Sequence, residues 1–235
     1  MSSSVLATLV AVVFVSAFVQ GALGIGFALI VAPVVGVLQP GLLPVTLLIL
    51  MLPLNFHVAW RERASIDWVG ARWITAGRLV GTFAGLWLLT ALSGHHLDQA
   101  VGWFTVIAAA AALVAPPFAA TPSISQGVGL FTGITETATG IGGPPLALLY
   151  QHTNGPTLRA TVAVCFLIGE IMSLAMLAIS GKIGSSQLLS ALYLVPAVLA
   201  GSALSKLTHG KIGGNGLRLS VLIFALLSGA YLIVK

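Results

Sequence analysis

The stretch Gly133–Pro145, GITETATGIGGPP, sets Gly-Ile-Gly-Gly-Pro-Pro inside apolar sequence where a helix would otherwise run unbroken. Near the front, Gln20–Phe27 reads QGALGIGF and does the same. Each copy carries a polar side chain one helical turn before its first glycine, Gln20 before Gly24 and Glu136 before Gly140. The offset that carries Gly24 onto Gly140 also carries Pro40 onto Pro156, Leu42 onto Leu158, Gly85 onto Gly201 and Leu88 onto Leu204, without a gap. The chain therefore reads as a duplicated unit, with repeats at residues 1–118 and 119–235 and helix breaks at matching places.

Composition places those breaks in a membrane. Hydrophobic residues make up 58% of the chain and charged residues 6%, with a mean hydropathy of +1.08. That leaves too little polar surface to clothe a soluble domain, so the chain reads as an integral membrane protein. The apolar runs are long and lack the alternation of a membrane barrel, which makes the spans helices and the class all-α. Met1-Ser2-Ser3-Ser4 has no basic n-region, which argues for a retained first helix over a cleaved signal peptide. Cys165 is the single cysteine, so no intrachain disulfide forms. The net charge of +5 gathers near helix ends, where it orients helices in the lipid bilayer and does not mark a nucleic-acid partner.

Taken as one helix, Val5–Leu38 would measure roughly 51 Å against a hydrocarbon core of about 30 Å. A break at Gly21–Gly26 leaves two pieces that either cross twice or dip in and return. Leu42–Trp60, Trp68–Leu92 and Val101–Val114 follow as spans, with a polar link at Ser93–Asp98 and a linker between halves at Ala119–Gln126. The second half repeats the plan: Gly127–Tyr150, broken at Gly140–Pro145, then Leu158–Ser180, Leu188–Leu207 and Leu217–Val234. If each broken pair makes no net crossing, or two, then Arg61, Arg63, Arg72, Arg159, Lys206, Lys211 and Arg218 share one side. Only Lys182 and Lys235 fall on the other, a positive-inside bias that a single crossing would abolish. The expected fold is two inverted repeats of five helical segments in the cytoplasmic membrane, with both termini outside the cytoplasm.

Irregular backbone at membrane depth is tolerated where it lines a cavity or is buried in protein. Gly24, Gly26, Gly140, Gly142 and Gly143, with Thr139 beside them, would free amides at the positive end of a following half-helix, which suits a small anion. Pro144 and Pro145 fit the first turn of such a helix. Close helix packing by small residues is the plainer reading; the duplicated placement, the Pro-Pro and the polar neighbours favour a site. Arg78, Glu136 and Glu170 are the ionisable residues deepest in spans. Arg78 either offers a fork to an oxyanion or forms a structural ion pair with Glu136 or Glu170. Glu136 either couples transport to protons or is a protonated carboxyl bonded to a neighbouring helix. Glu170, with no motif around it, reads as structural. Gln20, Asn55, His57, Gln151 and His152 are hydrogen-bond partners for a polar substrate or packing groups. His95-His96 do not read as a metal site, and no cofactor is expected. No His-Glu-x-x-His, Gly-x-Ser-x-Gly or Walker A motif occurs, so the chain does not read as an enzyme.

Gly24-Ile25-Gly26-Phe27 and Gly140-Ile141-Gly142-Gly143-Pro144-Pro145-Leu146, in two similar halves of a chain of this size, resemble the TauE/SafE family, the sulfite exporter or TSUP transporters. The resemblance covers nearly the whole chain. It departs at Phe27 and Ala28, where the family often has a further glycine, so the first break would offer fewer open amides. The resemblance implies movement of sulfite, sulfoacetate, isethionate or a related organosulfonate, by import or export, with proton coupling. The expectation is thus a secondary transporter, as a monomer or a homodimer, binding a small oxyanion between the two breaks. A passive anion channel and a non-transporting membrane scaffold are the alternatives, and the short loops count against the scaffold.

Overall fold

The computed structural model describes residues 3–92, 94–114, 120–150, 152–207 and 215–234. The repeat boundary at 118–119, Pro116-Pro117, Gln151, Lys211 and Lys235 lie outside the described residues. Regular structure among the described residues is helical throughout: α1 (Ser3–Leu23), α2 (Phe27–Leu38), α3 (Val45–Arg61), α4 (Trp68–Ala91), α5 (Gly94–Val114), α6 (Pro122–Thr139), α7 (Gly143–Tyr150), α8 (Gly155–Ile179), α9 (Ser185–Leu207) and α10 (Asn215–Val234). Of these, α1, α4, α8 and α9 are long and apolar enough to cross a bilayer, and the chain is an all-α membrane protein.

Local chemistry sets the helix starts. Asp67 accepts a hydrogen bond from Gly70 N at 2.9 Å, Asn154 from Thr157 N at 2.8 Å and Thr121 from Ile124 N at 3.4 Å, each satisfying an amide that the first turn leaves open. Thr121-Pro122 therefore begins α6 inside the stretch expected to be a linker. The expected polar link at Ser93–Asp98 is likewise helical from Gly94 on, because polar side chains do not stop a helix where no proline or cap intervenes. The two breaks turn on glycines in left-handed backbone, Gly24 at φ 85°, Gly26 at φ 124° and Gly140 at φ 81°. Pro144 and Pro145 occupy the first turn of α7, where no amide is missed.

Cross-helix bonds fix the directions. Glu62, just past α3, pairs with Arg159 at the start of α8 at 3.0 Å. At the other end of α3, Thr46 donates to the Gln187 carbonyl beyond the end of α8 at 3.2 Å. Helices α3 and α8 are thus antiparallel, and their ends define an Arg159 face and a Gln187 face. Helix α6 runs parallel to α4, with Gly77, Gly81 and Gly85 pressed on the backbone of Gln126, Leu130 and Ile134 in turn. Helix α7 then comes back, and the Tyr150 hydroxyl at its end donates to Asp67 at the start of α4 at 2.9 Å. Helix α1 runs parallel to α9, with Gly201 against Phe14 and Gly21 against Ser205. Helix α2 returns to Gly41, whose carbonyl accepts from Gln187 Nε2 at 3.0 Å. Each broken pair therefore starts and ends at one face, the first at the Gln187 face and the second at the Arg159 face, with its break toward the opposite face, so neither makes a net crossing.

The main packings join α4 with α6 and α1 with α9, α3 with α9 and α4 with α8, α2 with α10 and α5 with α7, α3 with α8, and α5 with α10. Exchanging each of the first five helices for its counterpart among the last five maps this set onto itself. The halves interleave instead of forming two bundles. The closeness of α4 to α6 depends on glycine, because a Cβ on Gly81 would collide with the Leu130 carbonyl oxygen. Gly81→Val is expected to destabilise the protein by about 1–3 kcal/mol, read as a lowered thermal midpoint in detergent. Gly127→Ala, a helical site with no other atom within 4 Å of the added carbon, is expected to leave the midpoint no lower than the parent's.

Candidate functional site

Five helices bring polar side chains into the middle of the bundle: Gln20 from α1, Asn55 from α3, Arg78 from α4, Glu136 from α6 and Glu170 from α8. All five are buried, and Asn55, Arg78, Glu136 and Glu170 are at 0% exposure. Arg78 Nη2 lies 2.6 Å from Glu136 Oε1. Its guanidinium sits 5.9 Å over the Phe166 ring and flush against Gly169, where a Cβ would collide with it. The Glu136 carboxylate is accommodated in the same way by the missing side chain of Gly142, so the second break makes room for it.

A second set of bonds starts on the first break. Phe27 N donates to Gln20 Oε1 at 3.0 Å, Gln20 Nε2 to Asn55 Oδ1 at 3.2 Å, and Asn55 Nδ2 to Glu170 Oε1 at 2.6 Å. Thr139 Oγ1 accepts from Ile141 N at 3.2 Å on the second break. Gln20 and Thr139 thus meet the breaks' own amides. The breaks themselves lie at opposite ends of the α3–α8 pair, Gly24 against Leu158 and Arg159, Gly140 against Pro44 and Leu47. What separates them is the polar network. Gly143 faces Phe166, and Gly26 faces Val19 and Val221, away from that network. His57 is half-buried and points its Nδ1 at Ser202 Oγ, 3.2 Å away. His152 is exposed.

Among the described residues, the buried side-chain atoms with no hydrogen-bond partner are concentrated here. Apart from two nitrogens of Arg61, they are Nε and Nη1 of Arg78, the hydroxyls of Thr82 and Thr132, Oε2 of Glu136 and Oε2 of Glu170. Each such group costs about 1–3 kcal/mol when left unmade. Thr82 lies one turn after Arg78 and Thr132 one turn before Glu136, so each hydroxyl shares a helix face with one member of the ion pair. The helical spacing of Thr82 and Thr132 to these charges is visible in the sequence; Gly169 and Phe166 carry no such signal. The spare guanidinium N–H groups of Arg78, with two unpartnered hydroxyls one turn along the same helices, are the chemistry of a donor set for a small oxyanion.

At the Arg159 face, Glu62 bridges Arg61 at 3.1 Å and Arg159 at 3.0 Å, while Arg61 also donates to the Gly21 carbonyl at 3.0 Å. These bonds tie the ends of α1, α3 and α8 together at that face.

Comparison with curated proteins and with solved structures finds no match. A family model described as sulfite exporter TauE/SafE matches residues 9–232, a span that contains both breaks and all five network residues. The chain belongs to the sulfite exporter TauE/SafE family.

Proposed function

We propose that this protein is a secondary transporter that carries a small sulfur-containing oxyanion, sulfite or a C2 organosulfonate such as isethionate or sulfoacetate, across the cytoplasmic membrane by alternating access coupled to protons. The observation that carries this reading is the fully buried Arg78–Glu136 pair, whose guanidinium keeps two nitrogens without partners, with the unpartnered hydroxyls of Thr82 and Thr132 one helical turn from the two charges. An oxyanion satisfies those donors and competes with Glu136 for Arg78. A proton then neutralises Glu136, and the loaded core moves without net charge, which lowers the penalty of crossing the bilayer centre.

An inverted repeat is supported by counterpart helices that pack antiparallel, α3 with α8, and α5 with α10, where Gly102 lies against Gly229 and Ile233 while Val106 lies against Gly229. Arg61, Arg63 and Arg159 sit at the Arg159 face and Lys182 near the other, which favours the Arg159 face as cytoplasmic and both termini as extracytoplasmic. Complete enclosure of the site favours alternating access over a passive channel, which would keep a wet path past Arg78.

Proteoliposome uptake of sulfite, sulfate, isethionate, sulfoacetate and taurine, with and without an inward proton gradient, tests the reading. Saturable uptake of sulfite or a sulfonate, stimulated by the gradient, is expected, and Glu136→Gln is expected to remove the stimulation. Flux that neither saturates nor responds to the gradient would mark a channel, and no flux would reject transport.

A further inference from the structure

The buried core brings together two carboxylates and one guanidinium. Arg78 is taken by Glu136 at 2.6 Å. Glu170, equally buried, receives only the neutral Asn55 amide on Oε1, and its Oε2 has no partner among the described residues. The elements packed on α8 bring no second positive charge to it. Helix α4 contributes Arg78, its Arg72 being exposed, and α6 contributes Glu136, while Arg61 of α3 and Arg159 of α8 are held by Glu62 at the Arg159 face. The α3 histidine, His57, turns to Ser202, and Arg63 stacks on Trp60. Tyr150 of α7 is bonded to Asp67 at the Arg159 face, α1 offers only Gln20, and α8 itself adds the buried Cys165. Unless one acid holds a proton, the membrane core carries an unpaired negative charge, a state costing several kcal/mol.

Resting on the transport reading above, we propose that Glu170 holds that proton in the empty protein and passes it to Glu136 when substrate takes Arg78. The Arg78 guanidinium pairs with Glu136 and also presses on Gly169, the residue before Glu170, so the cation packs on the turn of α8 that carries the second acid. A singly charged anion docking on Nε and Nη1 of Arg78 leaves Glu136 without its counter-charge. The O–H bond of Glu170 then breaks and one forms on the partnerless Oε2 of Glu136. Glu170 becomes a carboxylate and recovers a proton from water on the open side. The sum is one proton bound per anion and a neutral loaded core.

The amide chain explains how the intermediate carboxylate is held. The N–H groups of Phe27, Gln20 and Asn55 all point along the chain toward Glu170 Oε1, so each bond polarises the next and the last presents a donor to that oxygen. Gln20 and Asn55 then act through Glu170 and need not touch the substrate.

Glu170→Gln keeps the shape and the Asn55 bond but cannot release a proton. In proteoliposomes given external radiolabelled sulfite at about pH 6, where it carries mainly one charge, the parent is expected to accumulate sulfite about tenfold for each tenfold inward proton gradient. In Glu170→Gln that accumulation is expected to fall to simple equilibration, and the remaining flux to become sensitive to a potential set with valinomycin and potassium. Purified parent in weak buffer should take up roughly one proton on binding sulfite and the variant none, with Glu170→Asp restoring uptake in part. Gradient-driven accumulation by Glu170→Gln equal to the parent's overturns the proposal. So does a variant that folds but loses sulfite binding along with flux, the pattern of a merely structural residue. A parent that moves no sulfite or sulfonate at all rejects the transport reading itself, a result distinct from either.

Discussion

Arg78→Ala is expected to abolish uptake and to destabilise the protein by about 3–5 kcal/mol, because it leaves the Glu136 carboxylate buried without its counter-charge. Both partners are at 0% exposure and meet at 2.6 Å, so neither can reach water when the other is removed. The double variant Arg78→Ala/Glu136→Gln removes both charges and is expected to regain much of the lost stability while remaining inactive. Thermal unfolding of the two single variants and the double variant forms a cycle that isolates the pairing energy. Additive losses would mean that the pair contributes nothing beyond its separate side chains. Arg78→Lys is expected to stay inactive as well, since an ammonium cannot hold Glu136 and still present two spare N–H groups in a planar fork.

The second large effect is expected from a single methyl group. Gly169→Ala places a carbon where the Arg78 guanidinium now lies, so the guanidinium must leave its present position beside Glu136. Uptake is expected to fall by about a hundredfold, the scale of loss when a binding group is displaced by an ångström or so, with a stability loss of about 1–3 kcal/mol. The comparison with Arg78→Ala separates displacement from loss: Gly169→Ala retains the charge, so its effect on unfolding should be the smaller of the two. Normal uptake by Gly169→Ala would show that the guanidinium does not need its present position.

The features that were legible in the sequence are those written in backbone chemistry. Gly24, Gly26 and Gly140 adopt left-handed backbone that other residues rarely hold, and Pro144-Pro145 can only open a helix, so the breaks announce themselves. The spacing of Gly77, Gly81 and Gly85 equally marks a face made for close approach. That this face meets α6 is a fact of the whole bundle, and nothing within α4 encodes it. A helix break states where regular structure stops without stating which way the chain leaves, so dipping and double crossing are equal at the level of residues. The Arg78 partner is a similar case: two acids stand at comparable depth, and only the packing of α6 on α4 selects Glu136. Glu170 looks structural while it is read alone and changes meaning once Asn55 and the preceding Gly169 place it beside an arginine already taken.

Interleaving of the two halves has a consequence for biosynthesis. Arg78 leaves the ribosome in α4 well before Glu136 appears in α6, and α1 waits through most of translation for α9, the helix it lies along. A nascent chain halted between the halves carries a lone cation at the depth of the acyl tails, with nothing yet made to neutralise it. Expressed as two separate polypeptides, each half should be degraded alone and rescued only when both are synthesised in the same cell.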